Sequence, residues 1–182
     1  MRAPLVLAPL LLFTFSQSLP GQSWSGARPL GDRRYTATAG VGNAMGWFGV
    51  QGERYLLDER LSIFAGLGWA PSLDPGDGSG PAFAAGVRSF TSGARHRLFV
   101  EASASQVVRS TGGAADGGPY YGPGLQAGYQ FVSPGGFTLM ASVGAGYALG
   151  VPRTGDPCAR QVGLGVGYTW RLLPDLGGRR QM

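Results

Sequence analysis

Between Tyr121 and Leu149 the side chains change character at every second residue. Tyr121, Pro123, Leu125, Ala127, Tyr129 and Phe131 form one set, and Gly122, Gly124, Gln126, Gly128 and Gln130 the other. After Ser133-Pro134-Gly135-Gly136 the pattern resumes, with Phe137, Leu139, Ala141, Val143, Ala145, Tyr147 and Leu149 against Thr138, Met140, Ser142, Gly144, Gly146 and Ala148. Strand side chains point alternately to opposite faces, so a period of two predicts two strands with unlike faces. The Pro-Gly-Gly break predicts a hairpin between them. Each run spans about 11 to 13 residues, where strands of soluble domains run about 5 to 6. The polar set holds Gly, Ser, Thr and Gln and no charge. A solvated face would carry Lys, Glu or Asp. A long strand with one greasy, aromatic-tipped face and one small polar face suits a membrane barrel, whose apolar side meets lipid.

The same alternation predicts six further strands. They are expected at about 34–42, 46–57, 61–70, 82–90, 96–108 and 161–172. In the third, Leu61, Ile63, Ala65, Leu67 and Trp69 oppose Ser62, Phe64, Gly66 and Gly68. In the fifth, Leu98, Val100, Ala102 and Ala104 oppose Arg97, Phe99, Glu101, Ser103 and Ser105. In the last, Val162, Leu164, Val166, Tyr168 and Trp170 oppose Gly163, Gly165, Gly167 and Thr169. Connections alternate in length. Those at 71–80, 109–119 and 150–160 are long, and those at 58–60, 92–95 and 133–136 are short. One end of the barrel thus receives tight turns and the other receives loops, and an even strand count puts both termini at the turn end. The connection at 43–45 departs from this by being a short link at the loop end.

Composition closes off other classes. The chain has 182 residues, enough for one domain, and its 33 Gly are neither periodic at three nor clustered as in a linker. The net charge of +5 comes from Arg alone among the basic residues, and the Arg scatter to strand ends rather than forming a nucleic-acid stripe. A single Cys, Cys158, excludes an intrachain disulfide, and its place in the third long loop leaves a free thiol or an intermolecular bridge. Met1-Arg2, the apolar run Pro4 to Phe15 and the small residues Ser16, Ser18 and Gly21 have the form of a secretory signal peptide over 1–21. Residues 22–33 are expected as a disordered lead-in, 34–172 as the barrel, and 173–182 as a C-terminal tail.

With strands, turn asymmetry and leader in place, the chain resembles the small eight-stranded outer-membrane barrels of the kind shared by OmpX and the barrel domain of OmpA. The resemblance implies an all-β, eight-stranded, antiparallel, up-and-down transmembrane β-barrel in the outer membrane of a Gram-negative type cell. Tyr168-x-Trp170 resembles the terminal assembly signal of that class, although Arg171 to Met182 run on past it. The partners implied are outer-membrane lipid, lipopolysaccharide and the barrel assembly machinery, with a monomeric chain and no nucleic acid. Parity and strand direction place Trp69, Phe83, Tyr121 and Tyr147 as an aromatic belt at the loop end, and Tyr35, Phe131, Phe137, Tyr168 and Trp170 as a belt at the turn end.

Eight strands enclose only enough room for side chains, so a filled lumen without an open pore is expected. The inward charges Glu53, Arg88 and Glu101 fall at similar heights, and an Arg88–Glu101 pair across the 92–95 hairpin with Glu53 nearby would neutralise them. Pro123 calls for a strand end without pairing or a bulge at the rim. Chemistry is sparse. His96, the only His, begins a strand at the turn end and has no Ser beside it in sequence. Asp74 and Asp77 fall short of the six to eight oxygens a Ca²⁺ site needs and read as turn formers. Gly40-x-Gly42 and Gly163-x-Gly165-x-Gly167 lie within strands, with no helix to complete a phosphate loop. No metal, cofactor or catalytic residue is assigned, and a non-enzymatic structural or surface-interaction role is expected. The alternatives are an adhesin or ligand-binding protein acting through its long loops, a lipid A modifying enzyme, and a soluble lipocalin-like barrel with its apolar face turned inward.

Overall fold

The computed structural model describes residues 33–56, 59–71, 79–91, 95–109, 119–150 and 157–171. Within them run β1 (Tyr35–Gly42), β2 (Trp47–Leu56), β3 (Leu61–Ala70), β4 (Gly80–Phe90), β5 (His96–Arg109), β6 (Pro119–Val132), β7 (Phe137–Tyr147) and β8 (Cys158–Trp170). Each strand pairs antiparallel with the next, and β8 returns to β1 from Tyr35↔Trp170 to Gly42↔Gly163. The protein is an all-β, up-and-down, eight-stranded closed barrel. Closure gives every strand a partner on both sides along its middle, so no strand presents a whole free edge. Direct cross-strand partners trace an oblique row, Ala37, Gly52, Ala65, Ala85, Ala104 and Pro123, which starts near one rim on β1 and ends near the other on β6. Such a climb is the mark of strands tilted against the barrel axis.

The wall sorts its side chains by the period of two. Leu125, Val143 and Leu164 point away from the axis, as do Val50, Ile63, Leu67, Leu98 and Val166, and all are exposed. Gln51, Glu53, Arg88, Arg97, Glu101, Gln126, Gln130 and Gln161 point inward and are buried. The polarity of an ordinary soluble domain is therefore reversed. The short connections join strands at one rim, where Arg34 N–H donates to Trp170 O at 3.1 Å and Arg33 donates to Ser133 O at 3.0 Å and to Pro134 O. The long connections leave the opposite rim.

Four features depart from the sequence reading. The 43–45 link is not a simple tight turn on the rim. It is a 3₁₀ turn, Asn43–Met45, folded into the lumen with all three residues buried. Gly42, Gly46 and Trp47 carry positive φ angles of 129°, 64° and 73°, which swing the chain in and out of the wall. The adjoining β3 wall is bare to receive it, since a Cβ on Gly66 would lie 2.0 Å from Ala44 O. Second, strands β4, β6 and β8 begin two to three residues earlier than expected, so Cys158 opens β8 instead of lying in a loop. Third, Pro123 meets the expected rim irregularity on one side only: it opposes Ala104 of β5 in register but lies beyond the β6–β7 ladder, which begins at Gly124↔Gly146, and the bulge at this rim sits on β5. Fourth, at a bulge between Gln106 and Val108 Gln106 turns inward against parity, so that Ser105, Gln106 and Val107 are buried in succession. The signal peptide 1–21, all but Arg33 of the 22–33 lead-in, the tail 173–182, Asp74, Asp77 and the tips of the long loops lie outside the described residues.

Candidate functional site

Among the described residues, it is the lumen that gathers charge into a cluster. Register brings the groups together: Arg88 on β4 directly opposes Glu101 on β5, and Glu53 on β2 sits two strands away on the same inner face. The Arg88 guanidinium meets Glu101 Oε2 at 2.7 Å through Nε and through a terminal nitrogen, and Glu53 Oε2 at 3.3 Å. It also donates to Gln51 Oε1 at 2.9 Å. Its planar faces are used as well, with Phe64 and Phe99 ring centroids 4.3 and 5.0 Å from Cζ. The carboxylates have further donors. Ser62 Oγ donates to Glu53, and Gln126 Nε2 to Glu101 at 3.3 Å. Ser142 Oγ in turn donates to Gln126 Oε1 at 2.8 Å. A fully buried charge is very costly unless paired and hydrogen-bonded, and here each has both.

A fourth buried charge lies nearer the turn rim. Arg97 donates to Gln130 Oε1 at 2.8 Å and to Glu59 O at 3.3 Å, with Cζ 4.0 Å from the Phe90 centroid and 4.4 Å from that of Tyr55. The Tyr55 hydroxyl is 3.0 Å from Thr36 Oγ1, 3.2 Å from Gln130 Oε1 and 3.4 Å from Glu53 Oε2. Thr36, Thr138 and Thr169 form a chain of hydroxyls at this end, with Thr169 Oγ1 2.7 Å from Thr36 and 2.6 Å from Thr138. At the loop rim Asn43 Nδ2 donates to Gln106 O at 2.7 Å, and Gln161 Nε2 reaches across the lumen to Ser105 Oγ at 3.4 Å. Three layers follow one another along the lumen: the Arg97–Tyr55–Phe90 stack, the Arg88 layer, then the 3₁₀ turn with fully buried Met45.

Sequence parity named Glu53, Arg88 and Glu101, and the structure brings all three together. Tyr55, Phe90 and Gln106 were not singled out. For Tyr55 and Phe90 the signal was present, because each continues the inward parity of its strand. Gln106 had none, since only the bulge turns it inward. Arg97 was placed on the inner face, but its strand-end position hid how far its side chain reaches into the lumen.

Of the belt residues, Trp69, Phe83, Tyr121 and Tyr147 face outward on the loop-end half of the wall. Phe137, Tyr168 and Trp170 face outward at the turn end, and Tyr35 stacks on Trp170 at 6.3 Å between centroids. Phe131 is half-buried there against His96, 4.7 Å away between ring centroids. Phe48 at the loop end and Tyr129 at the turn end join the two outward sets. His96 is outside the barrel, its Nδ1 2.5 Å from Tyr129 Oη. Ser62, Ser103 and Ser105 are buried inside it. The wall therefore separates the imidazole from every lumen hydroxyl. Among the described residues no three His, Cys, Asp or Glu side chains stand close enough to hold a metal ion. Arg88, Glu53 and Glu101 neutralise one another, whereas Arg97 is held by an amide oxygen, a backbone carbonyl and two aromatic rings.

No family model, curated protein sequence or solved structure matches this chain.

Proposed function

We propose that this chain is an integral outer-membrane β-barrel protein with a filled lumen, non-enzymatic, acting as a structural element or as a scaffold for surface loops. One observation carries the reading. The largest fully buried side chains include Arg88, Arg97, Gln51, Gln106, Gln130, Gln161 and Glu101, while Val143, Val162, Leu164, Leu98 and Val50 stand exposed around the outside. In water that arrangement would be unfavourable twice over, exposing apolar area at about 25 cal/mol per Å² and burying charge. Against acyl chains the first cost vanishes, and closure meets the demand that every backbone donor and acceptor in the hydrocarbon be satisfied. Outward aromatics gathered toward the two rims fit two lipid–water interfaces. The reversed polarity speaks against a lipocalin-like soluble barrel, and the packed interior against a porin.

The signal-peptide pattern supplies the route out of the cell interior, and Tyr168-x-Trp170 at the end of β8 fits recognition by the assembly machinery. Lipid and lipopolysaccharide are the partners proposed for the wall. Adhesion or ligand binding through the long loops is a second reading of the same barrel. The test is refolding of the mature chain into phospholipid vesicles, followed by gel mobility with and without boiling. The unboiled protein should run as a distinct, protease-resistant band, and planar bilayers should show no steady conductance. A chain that stays in the aqueous fraction, or a single band under both conditions, would sink the membrane reading. His96→Ala should leave lipid A unchanged; an altered lipid A profile would revive the enzyme.

A further inference from the structure

The outer wall carries charge at few places, and one of them adjoins a hollow. Arg54 of β2 points outward, directly between Tyr35 of β1 and Ile63 of β3 in register. Its Cζ lies 5.9 Å from the Tyr35 centroid, and Tyr35 stacks on Trp170. Among the described residues no carboxylate pairs with it. Immediately toward the middle of the wall, Ala37, Gly52 and Ala65 oppose one another across three strands. They floor an apolar hollow of about 390 Å³ whose rim is Tyr35, Arg54, Ile63 and Trp170. A Cβ on Gly52 would meet nothing within 4 Å, so the space is open outward.

A cation on a lipid-facing wall is costly at mid-depth and nearly free of cost at the headgroups, so Arg54 belongs at headgroup level. There its guanidinium offers forked N–H donors to a phosphate, while the aromatic pair beside it sets the interface depth. A second hollow, around Ala85, Ala104 and Pro123, has no charged residue in its described lining and offers only the apolar half of such a site. We infer that the Arg54 hollow is a seat for one anionic phospholipid of the turn-end leaflet, with phosphate on Arg54 and an acyl chain over Gly52. The inference rests on the membrane reading above and adds a site to it.

The probe is native mass spectrometry of the folded barrel in micelles doped with equal phosphatidylglycerol and phosphatidylcholine. The parent should retain one phosphatidylglycerol in preference. Arg54→Gln should lower that retention about tenfold, the loss of a charge-assisted contact, and abolish the preference. Gly52→Leu should fill the hollow and lower retention of both lipids. Arg160→Gln, an outward Arg near the other rim, should change neither. Equal retention of the two lipids by the parent, or parental behaviour in Arg54→Gln and Gly52→Leu, overturns the seat. Displacement of the lipid by millimolar inorganic phosphate also overturns it, in favour of a bare anion site. The gel shift of the unboiled sample, run on each variant, separates the two claims. A shifted band without lipid preference removes only the seat, whereas no shift in the parent removes the membrane reading and the seat with it.

Discussion

Replacing Arg88 by Met keeps most of the stem volume and deletes the one cation that Glu53 and Glu101 share. The parent contacts are 2.7 Å to Glu101 and 3.3 Å to Glu53, with every partner at or below one per cent side-chain exposure. At an effective dielectric of about 20, unit charges 4 Å apart attract by about 4 kcal/mol, and much of that is offset by desolvating the ions. What the variant exposes is the uncompensated part. Breaking a buried pair by removing one partner costs ~3–5 kcal/mol, and two stranded carboxylates put this site near the upper figure. With a urea slope of ~1–3 kcal/mol per M, a loss of about 5 kcal/mol lowers the unfolding midpoint by about 2–5 M. The assay is a urea titration in vesicles, scored by the heat-shifted band. Arg88→Met combined with Glu53→Gln and Glu101→Gln removes all three charges and should recover to within about 1 kcal/mol of the parent, because a neutral network has no ion left to strand. A single variant within about 0.5 kcal/mol of the parent would refute the reasoning, as would a triple variant no better than the single.

The inward 3₁₀ turn gives a steric prediction. Gly66→Val should expel Asn43–Met45 from the lumen, since the new Cβ would lie 2.0 Å from the Ala44 carbonyl oxygen, and the urea midpoint should fall by an amount equivalent to about 1–3 kcal/mol or more. Gly52→Leu, on the open outer face, should leave it unchanged; equal effects would mean that the turn does not occupy the lumen. Sidedness gives another. In a Cys158→Ser background, Asp116→Cys in the second long loop should react with a membrane-impermeant maleimide on intact cells, and Pro134→Cys in the 133–136 turn only after permeabilisation. Labelling of both, or of Pro134→Cys alone, would overturn the orientation.

Much of the fold was legible because a strand wall records its environment residue by residue. Each side chain in β3, β7 and β8 looks either in or out, and the apolar/small-polar alternation writes that choice directly into the sequence. Charge placement was legible for the same reason. Arg88 and Glu101 could be paired in advance because a four-residue turn at 92–95 fixes the β4–β5 register, and register fixes which inner side chains face each other. The strand starts at Gly80, Pro119 and Cys158 were not legible. Near the loop rim the wall carries Gly, Pro and polar residues, so the two faces no longer differ.

What parity could not convey is any place where the chain stops obeying it. Asn43-Ala44-Met45 reads as a rim turn until the facing wall is considered: Gly66 and Gly68 on β3 are bare, and their Cβ positions are already filled by the Ala44, Met45 and Gly46 carbonyl oxygens. The information was distributed over residues more than 20 positions apart and carried by missing side chains, which no local pattern reports. The bulge at Gln106 is similar. One extra residue breaks the parity at Gln106, so a Gln on an apolar register was the sole local hint of the break. Both exceptions fall at the loop rim, where the lumen would otherwise open. The regular part of the sequence builds a wall, and its two irregularities close the end that the charge layer does not reach. A filled barrel is therefore specified by where the alternation fails as much as by where it holds.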